Sequence, residues 1–157
     1  MKLFLCLLSV LAFTFSSLAQ TKSQTTKPQY DSTLAKKLGA DGYGMKKYVM
    51  AFLKSGKTKI KDSTERVNLQ MAHLKNIMRM ADEGKLVVAG PFMDKGDVRG
   101  IYIFNVETLE EARKLTETDP AIKAGTLEME LRPLYCSAAL MEVTRIHKTL
   151  EKKSVAD

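Results

Sequence analysis

Two residues of this chain have the types that proton transfer needs, a histidine at position 73 and an aspartate at position 119. The whole chain has two histidines, and His73 lies in a segment with helical periodicity. An unperturbed imidazole titrates near pH 6.5, at about the value where it can both accept and release a proton. A carboxylate beside it would hold one tautomer and favour the protonated ring. Such a pair suits the movement of a proton next to a carbonyl or enol, or an elimination.

The same two residues also fit a purely structural arrangement. Asp119 is followed by Pro120, which is the pattern of a helix N-cap with proline in the first turn. A histidine bonded to a capping aspartate would stabilise the fold without catalysis. From spacing alone this structural interpretation is favoured.

Further positions are candidates for the surroundings of such a site. Tyr48 and Tyr102 are candidates to line a pocket, and Gly90-Pro91 predicts a turn at its rim. The histidines and cysteines are too far apart in the sequence to give metal-ligand spacing. We therefore expect no metal and no cofactor. The lysines of residues 54–61 could attract an anionic substrate, although a solvated loop is the more ordinary interpretation.

The elements that would position these residues follow from periodicity and turn signals. Capping boxes are predicted at Asp62 with Glu65 and at Thr108 with Glu111, and Gly84 is predicted to end the first long helix. The order is β-α-β-β-α-β, a ferredoxin-like α+β fold with a four-stranded antiparallel sheet. The predicted strands are residues 47–53, 85–89, 98–106 and 127–135, and the predicted helices are residues 62–83, 108–118 and a short turn at 119–125.

The first long helix has an apolar stripe at helical spacing, which predicts its core-facing side. His73 is one position away from that stripe, at its flank, where a side chain can face a pocket rim. The stripe is Val67, Met71, Leu74, Met78 and Ala81.

The two ends of the chain lie outside this α+β core. Residues 1–19 have a lysine, an apolar run and a small-residue cleavage pattern, which predicts a signal peptide and a secreted or periplasmic protein. The run is shorter than the roughly 20 residues of a membrane-spanning helix, so no span is expected after cleavage; an uncleaved anchor is the alternative. Residues 20–45 predict a polar leader with a short helix at 31–38, and residues 136–157 predict a C-terminal helix.

Composition narrows the function classes. The formal charge is +7 and the positive residues are mostly lysine, without the aromatic and arginine platform typical of nucleic-acid binding. We expect no nucleic-acid partner. Cys136 is the one cysteine left after cleavage, which excludes an internal disulfide and leaves stability to packing.

The first and third predicted strands are apolar on both sides. Two helices can cover only one face of the sheet, and soluble monomers avoid a large exposed apolar face. A homodimer that packs sheet to sheet is therefore predicted, and coverage by the C-terminal helix is the alternative.

These residues together resemble the YCII-related family of the dimeric α+β barrel group, over about residues 46–135. The resemblance implies a YCII-like α+β domain there, with a fold similar to that of muconolactone isomerases. It also implies that His73 and Asp119 match a His–Asp pair proposed as catalytic in a pocket between helix and sheet. The matching motifs are His73-Leu74, Gly84-Lys85-Leu86, Ala89-Gly90-Pro91, Gly100, Leu109-Glu110-Glu111-Ala112, Asp119-Pro120, Ala124-Gly125 and Arg132-Pro133.

The leading functional hypothesis is an exported homodimeric enzyme acting on a small organic substrate. His73 would be the general acid or base and Asp119 would orient it, in a cofactor-independent isomerase or lyase. The alternative is a non-catalytic envelope protein that binds a small organic ligand in the same pocket. A haem or redox relative of the same fold group is a third hypothesis, and it would need an accessible axial ligand.

Overall fold

The computed structural model describes residues 28–155, and the elements below belong to the compact unit that begins at Asp31. The predicted signal peptide at residues 1–19, and the leader up to residue 27, lie outside the described residues. Within the part described, no helix is long and apolar enough to cross a membrane.

Four strands and five α-helices follow one another along the described chain, with one 3₁₀ helix near its end. The order of the predicted core is confirmed, and β1 and β4 are longer than predicted. The elements are α1 (Ser32–Leu38), β1 (Met45–Ser55), α2 (Ser63–Asp82), β2 (Leu86–Pro91), β3 (Val98–Phe104), α3 (Leu109–Thr116), α4 (Pro120–Lys123), β4 (Leu127–Ser137), the 3₁₀ helix Ala138–Glu142 and α5 (Val143–Leu150).

The strands form one antiparallel sheet in the order β2-β3-β1-β4. This is the ferredoxin-like βαββαβ arrangement, so the predicted fold class is confirmed. The central strands are β3 and β1, and β2 and β4 are the edges.

The helix ends are set by side chains read in the sequence. Thr108 and Glu111 form a complete capping box at the start of α3. At α2 the Asp62 side chain accepts a hydrogen bond from the Glu65 amide at 2.8 Å, which is the N-cap half of the predicted box. Gly84 follows α2 in the left-handed conformation with φ 68°, which glycine adopts without strain.

The sheet has two faces with separate apolar clusters. Residues that pair across antiparallel strands point to the same side, so Val49 with Phe104 and Ala51 with Tyr102 define the side covered by α2 and α3. We call this the helix face. Tyr48 and Ile103 belong to a cluster on the opposite side, which we call the second face.

The core-facing side predicted for α2 was wrong. Its buried residues are His73, Asn76 and Met80, whereas Val67 is 60% exposed. The helix has apolar residues on two adjoining sides, and periodicity alone could not tell which side meets the sheet. Met78, from the predicted stripe, is half-buried and contacts Ser154 near the end of the chain instead.

The C-terminal segment, residues 138–155, covers part of the second face and passes the edge of the sheet. Leu140 and Met141 pack against Tyr48, Val87 and Ile103. Farther along, α5 contacts β2 and the Lys148 ammonium lies 2.6 Å from the Asp82 carboxylate at the end of α2. The segment thus runs from the second face, past the edge strand β2, to the helix face.

Candidate functional site

Three elements meet around the imidazole of His73. The residue lies in the middle of α2, and the buried positions 73, 76 and 80 recur at helical spacing, so they share the side turned to the sheet. Asp119 is the N-cap of α4, and its Oδ1 accepts a hydrogen bond from the Ala121 amide at 2.9 Å. Tyr102 comes from the middle of β3, on the helix face.

The side chains of these three residues form a continuous hydrogen-bonded chain. His73 Nδ1 lies 2.8 Å from Asp119 Oδ2 and 3.0 Å from Oδ1, and His73 Nε2 lies 3.3 Å from the Tyr102 hydroxyl. A carboxylate can only accept, so Nδ1 carries the proton and donates it to Asp119. In the neutral ring Nε2 is then an acceptor, and the Tyr102 hydroxyl donates to it.

All three residues are enclosed by protein. Asp119 is fully buried, Tyr102 is 2% exposed and His73 is 7% exposed. The Tyr102 ring packs edge-on against Phe104, with ring centres 5.7 Å apart. Their burial excludes water, and the low dielectric of the protein interior strengthens each hydrogen bond.

Burial raises the pKa of the Tyr102 hydroxyl far above its ordinary value of 10.0, and the negative charge of Asp119 and hydrogen bonding to its carboxylate raise that pKa further. All three effects disfavour the tyrosinate anion. The Tyr102 phenol therefore keeps its proton at neutral pH and remains a hydrogen-bond donor.

Asn76, which sequence reasoning missed, lies one helical turn after His73 on the same buried side. Its Oδ1 accepts hydrogen bonds from Arg79 Nη2 at 2.9 Å and Thr118 Oγ1 at 3.2 Å. Arg79 has only donors, so the amide orientation is fixed. Among the described residues, Asn76 Nδ2 is a buried donor with no hydrogen-bond partner. The signal in the sequence was a polar residue three positions after the candidate histidine, and so on the same side of the helix.

Tyr48 does not share a pocket with His73. It points to the second face, where it is 1% exposed and its hydroxyl donates to the Ser137 carbonyl at 3.2 Å. Adjacent residues of a strand point to opposite faces, and Val49 already occupies the helix face. The prediction that Tyr48 and Tyr102 line the same pocket was therefore wrong.

The turn predicted at Gly90-Pro91 was wrong. These two residues are the last residues of strand β2. Gly90 pairs with Ile101 and Pro91 pairs with Gly100. A proline fits there because β2 is an edge of the sheet and, within residues 28–155, no strand pairs with its outer side. Pro91 shares the helix face with Gly100 and Tyr102, whereas Gly90 points to the second face.

A groove of about 460 Å³ lies away from this site, where β3 ends and α3 begins. Neither His73 nor Asp119 lines it. Its lining residues are Lys46, Lys85, Asn105, Val106, Glu107, Thr108 and Glu111.

The described residues 28–155 hold no group of three or more His, Cys, Asp or Glu side chains that could bind a metal ion. Both ring nitrogens of His73 are already engaged by Asp119 and Tyr102. This geometry disfavours His73 as the axial ligand that a haem relative would need.

Comparison with known proteins places the chain in a family. The model of the YCII-related domain matches residues 48–134. The chain belongs to the YCII-related family. The resemblance deduced from the His73, Gly90-Pro91 and Asp119 motifs is therefore confirmed.

Two known proteins are similar to parts of this chain. The uncharacterized protein YjpA of Bacillus subtilis (strain 168) is 30% identical over 71 residues, which are 44% of this chain and 81% of YjpA. Among solved structures, a 5-chloro-2-hydroxyhydroquinone dehydrochlorinase from Burkholderia phenoliruptrix AC1100, in complex with 2,5-dihydroxybenzoquinone, has 22% identity and a TM-score of 0.40. That likeness covers 54% of this chain and 90% of the dehydrochlorinase, and at this level it does not inform the chemistry of the YCII-related chain.

Proposed function

We propose that this YCII-related protein is an exported, cofactor-independent isomerase or lyase that acts on a small organic substrate. His73 is the general acid and base, and Asp119 orients it. The observation that carries the proposal is the 2.8 Å hydrogen bond between His73 Nδ1 and Asp119 Oδ2 in a buried site. A buried imidazole hydrogen-bonded to a carboxylate is an arrangement that general acid–base catalysis uses.

The chemistry follows from the orientation of the imidazole. Asp119 holds the Nδ1 proton, so the electron pair of Nε2 faces away from the carboxylate. A proton leaves a carbon next to a substrate carbonyl, an enolate forms, and His73 becomes an imidazolium. The Asp119 carboxylate stabilises that cation. Return of the proton to another substrate atom completes an isomerisation, and its transfer to a leaving group completes an elimination.

The proposal can be tested without knowing the natural substrate. Incubation in D₂O with a panel of enolisable ketones, β-keto acids and lactones reports proton abstraction by NMR as deuterium wash-in. We expect at least one compound to exchange with the parent protein, and about a 100-fold or larger loss of exchange in His73→Gln, within the range for a general acid or base. Glutamine keeps a hydrogen-bond donor for buried Asp119.

Two outcomes would contradict the catalytic proposal. One is a folded His73→Gln protein that exchanges the same compound at the parental rate. The other is a parent protein that exchanges none of the panel above the solvent rate. Urea unfolding of both proteins shows that the comparison is between folded states.

A non-catalytic envelope protein that binds a small ligand is the second candidate, and a specific observation favours it. Asp119 already has a structural task as the N-cap of α4, and its carboxylate is fully buried. Native mass spectrometry of protein purified from its source separates the two. A persistent bound molecule that is released unchanged supports binding, whereas a mixture of isomers or elimination products supports catalysis.

Export and dimerisation belong to the same proposal. The signal-like residues 1–19 support export, which predicts a mature protein beginning at Gln20 in the periplasm or medium.

Partly exposed Met50, Phe52 and Ile101 on the second face support a homodimer. Because the C-terminal segment covers the Tyr48 part of that face, the partner would cover the remainder. Light scattering of the parent and of Met50→Glu tests it: a dimer that becomes monomeric supports the interface.

A further inference from the structure

We propose that Tyr102 is a catalytic residue of this site and passes the proton between the substrate and His73. The inference rests on the proposed acid–base function. In this inference the phenol of Tyr102, and not the imidazole of His73, contacts the substrate. The proton then passes from Tyr102 to His73, and Asp119 orients His73.

The first argument is the occupancy of the imidazole. Nδ1 is held by Asp119 at 2.8 Å, and Nε2 faces the Tyr102 hydroxyl at 3.3 Å. Neither nitrogen is left for a substrate atom. A substrate proton therefore reaches Nε2 through the oxygen of Tyr102.

The second argument is the space next to the tyrosine. Tyr102 pairs with Ala51 on β1 and with Ala89 on β2, so both cross-strand neighbours are small. Ala89 lies on the edge strand and is exposed, as is Pro91 two residues later. Tyr102 itself is 2% exposed, so in this proposal a small planar molecule approaches the phenol from the exposed β2 edge, past Ala89.

The transfer balances without a cofactor. As a C–H bond next to the substrate carbonyl breaks, its proton bonds to the phenol oxygen of Tyr102. In the same step the original phenol proton moves to His73 Nε2. Tyrosine is neutral before and after, the substrate becomes an enolate, and the imidazolium is balanced by the Asp119 carboxylate. The reverse movement protonates a different substrate atom.

The electrostatics of the site select this concerted route over a free tyrosinate. Burial and the Asp119 charge hold the pKa of Tyr102 far above its ordinary value, so the phenol cannot ionise on its own at neutral pH. The imidazole must accept the phenol proton as the substrate proton arrives. The edge-on contact with Phe104 keeps the ring aligned for that exchange.

Tyr102→Phe is the direct test, because it removes one oxygen and keeps the ring. We expect deuterium exchange of the panel compound to fall by about 100-fold or more, the range for loss of a group that transfers a proton. Tyr48→Phe is the matched control. It also removes a buried tyrosine hydroxyl, the one bonded to Ser137 on the second face, and should leave exchange at the parental rate.

One readout separates proton transfer from a merely structural role, and a second checks the hydrogen bond on which the relay depends. The proton inventory of the parent, its rate in mixtures of H₂O and D₂O, should be curved because two protons move together. The ¹⁵N resonance of His73 Nε2 should move towards that of a free acceptor nitrogen in Tyr102→Phe and stay unchanged in Tyr48→Phe.

The failures are distinguishable. Parental exchange in Tyr102→Phe, with exchange lost in His73→Gln, would overturn the relay and leave the proposed function standing. A linear inventory, or an Nε2 resonance that ignores Tyr102→Phe, would also overturn it. Parental exchange in His73→Gln would remove the proposed function itself. A parent protein that exchanges none of the panel would remove the proposed function and the relay with it.

Discussion

The backbone of Gly56 lies directly against the backbone of Gly125. A Cβ atom on Gly56 would be 2.1 Å from the Gly125 carbonyl oxygen. The Gly56 amide donates to the Thr126 carbonyl at 2.8 Å, and the Thr58 amide donates to the Gly125 carbonyl at 3.0 Å. Because this contact lies just after α4, it ties the helix capped by Asp119 to the end of β1.

Replacement of Gly56 by alanine should destabilise the fold. The added Cβ cannot fit beside a carbonyl oxygen, so the two segments must separate, and overpacking of this kind costs about 1–3 kcal/mol. Gly42→Ala is the matched control, since a Cβ at Gly42 meets nothing within 4 Å, and it should change stability by less than about 0.5 kcal/mol. Urea unfolding measures both, and equal free energies of unfolding would contradict the close contact.

A second prediction separates the two tasks of the Asp119 carboxylate. Asp119→Ala removes a helix cap, which costs about 1 kcal/mol, and leaves the buried His73 N–H without an acceptor, which costs about 1–3 kcal/mol more. Asp62→Ala removes only a cap, at the exposed start of α2. The Asp119 variant should therefore lose clearly more stability in urea. Equal losses would mean that the bond to His73 contributes nothing to the fold.

Most of the scaffold could be predicted because its signals are local. Each signal is read from residues a few positions apart. These signals are the runs of apolar residues, the helix caps at Asp62 and Thr108, and the glycine at position 84. These signals placed the four strands and the main helices close to their positions. The start of α3 was predicted correctly, and both halves of its capping box are present in the structure.

The environment of the site could be predicted only in part, because it depends on rotation of one element against another. The sequence singled out His73 and Asp119, and the structure brings their side chains into contact. The side of α2 that faces the sheet was predicted wrongly, because α2 has apolar residues on two adjoining sides. The same interpretation followed from the sequence for Tyr48 and Tyr102, but the alternation of side chains along their strands places them on opposite faces of the sheet. The link from Tyr102 to His73 arises only once α2 is turned to bury position 73.

A third prediction concerns the pH dependence of stability. On β4, the Glu130 carboxylate contacts Lys54 and also accepts a hydrogen bond from Arg132 Nε at 2.8 Å. The Lys54 hydrogen bond, followed by the Arg132 contact, lowers the pKa of Glu130 from its ordinary value of 4.5. A carboxyl whose pKa is lowered by folding stabilises the fold above its unfolded pKa, and that contribution disappears as the pH falls through the folded value.

Glu130→Gln should therefore be less stable than the parent at pH 7, and the difference should shrink as the pH is lowered below 4.5. Urea midpoints at a series of pH values measure it. Glu128→Gln, two residues earlier on the same strand face, controls for loss of one negative charge. A Glu130 variant whose deficit stays constant down to acid pH would show that the Lys54 contact does not act through ionisation.

The last prediction concerns the C-terminal segment as a cover for the second face. Met141 packs against the cluster of Tyr48, Val87 and Ile103, so Met141→Ala should lower the free energy of unfolding by about 1–2 kcal/mol, less than for a fully buried methionine. Ile146→Ala on α5 is the control. Ile146 is 46% exposed, and its truncation should change stability by less than about 0.5 kcal/mol. If the segment covers the apolar residues of the second face, the Met141→Ala protein should also bind more of a hydrophobic dye at about pH 7, whereas the Ile146→Ala protein should not. Similar small effects of both variants would show that the segment lies on the sheet without stabilising it.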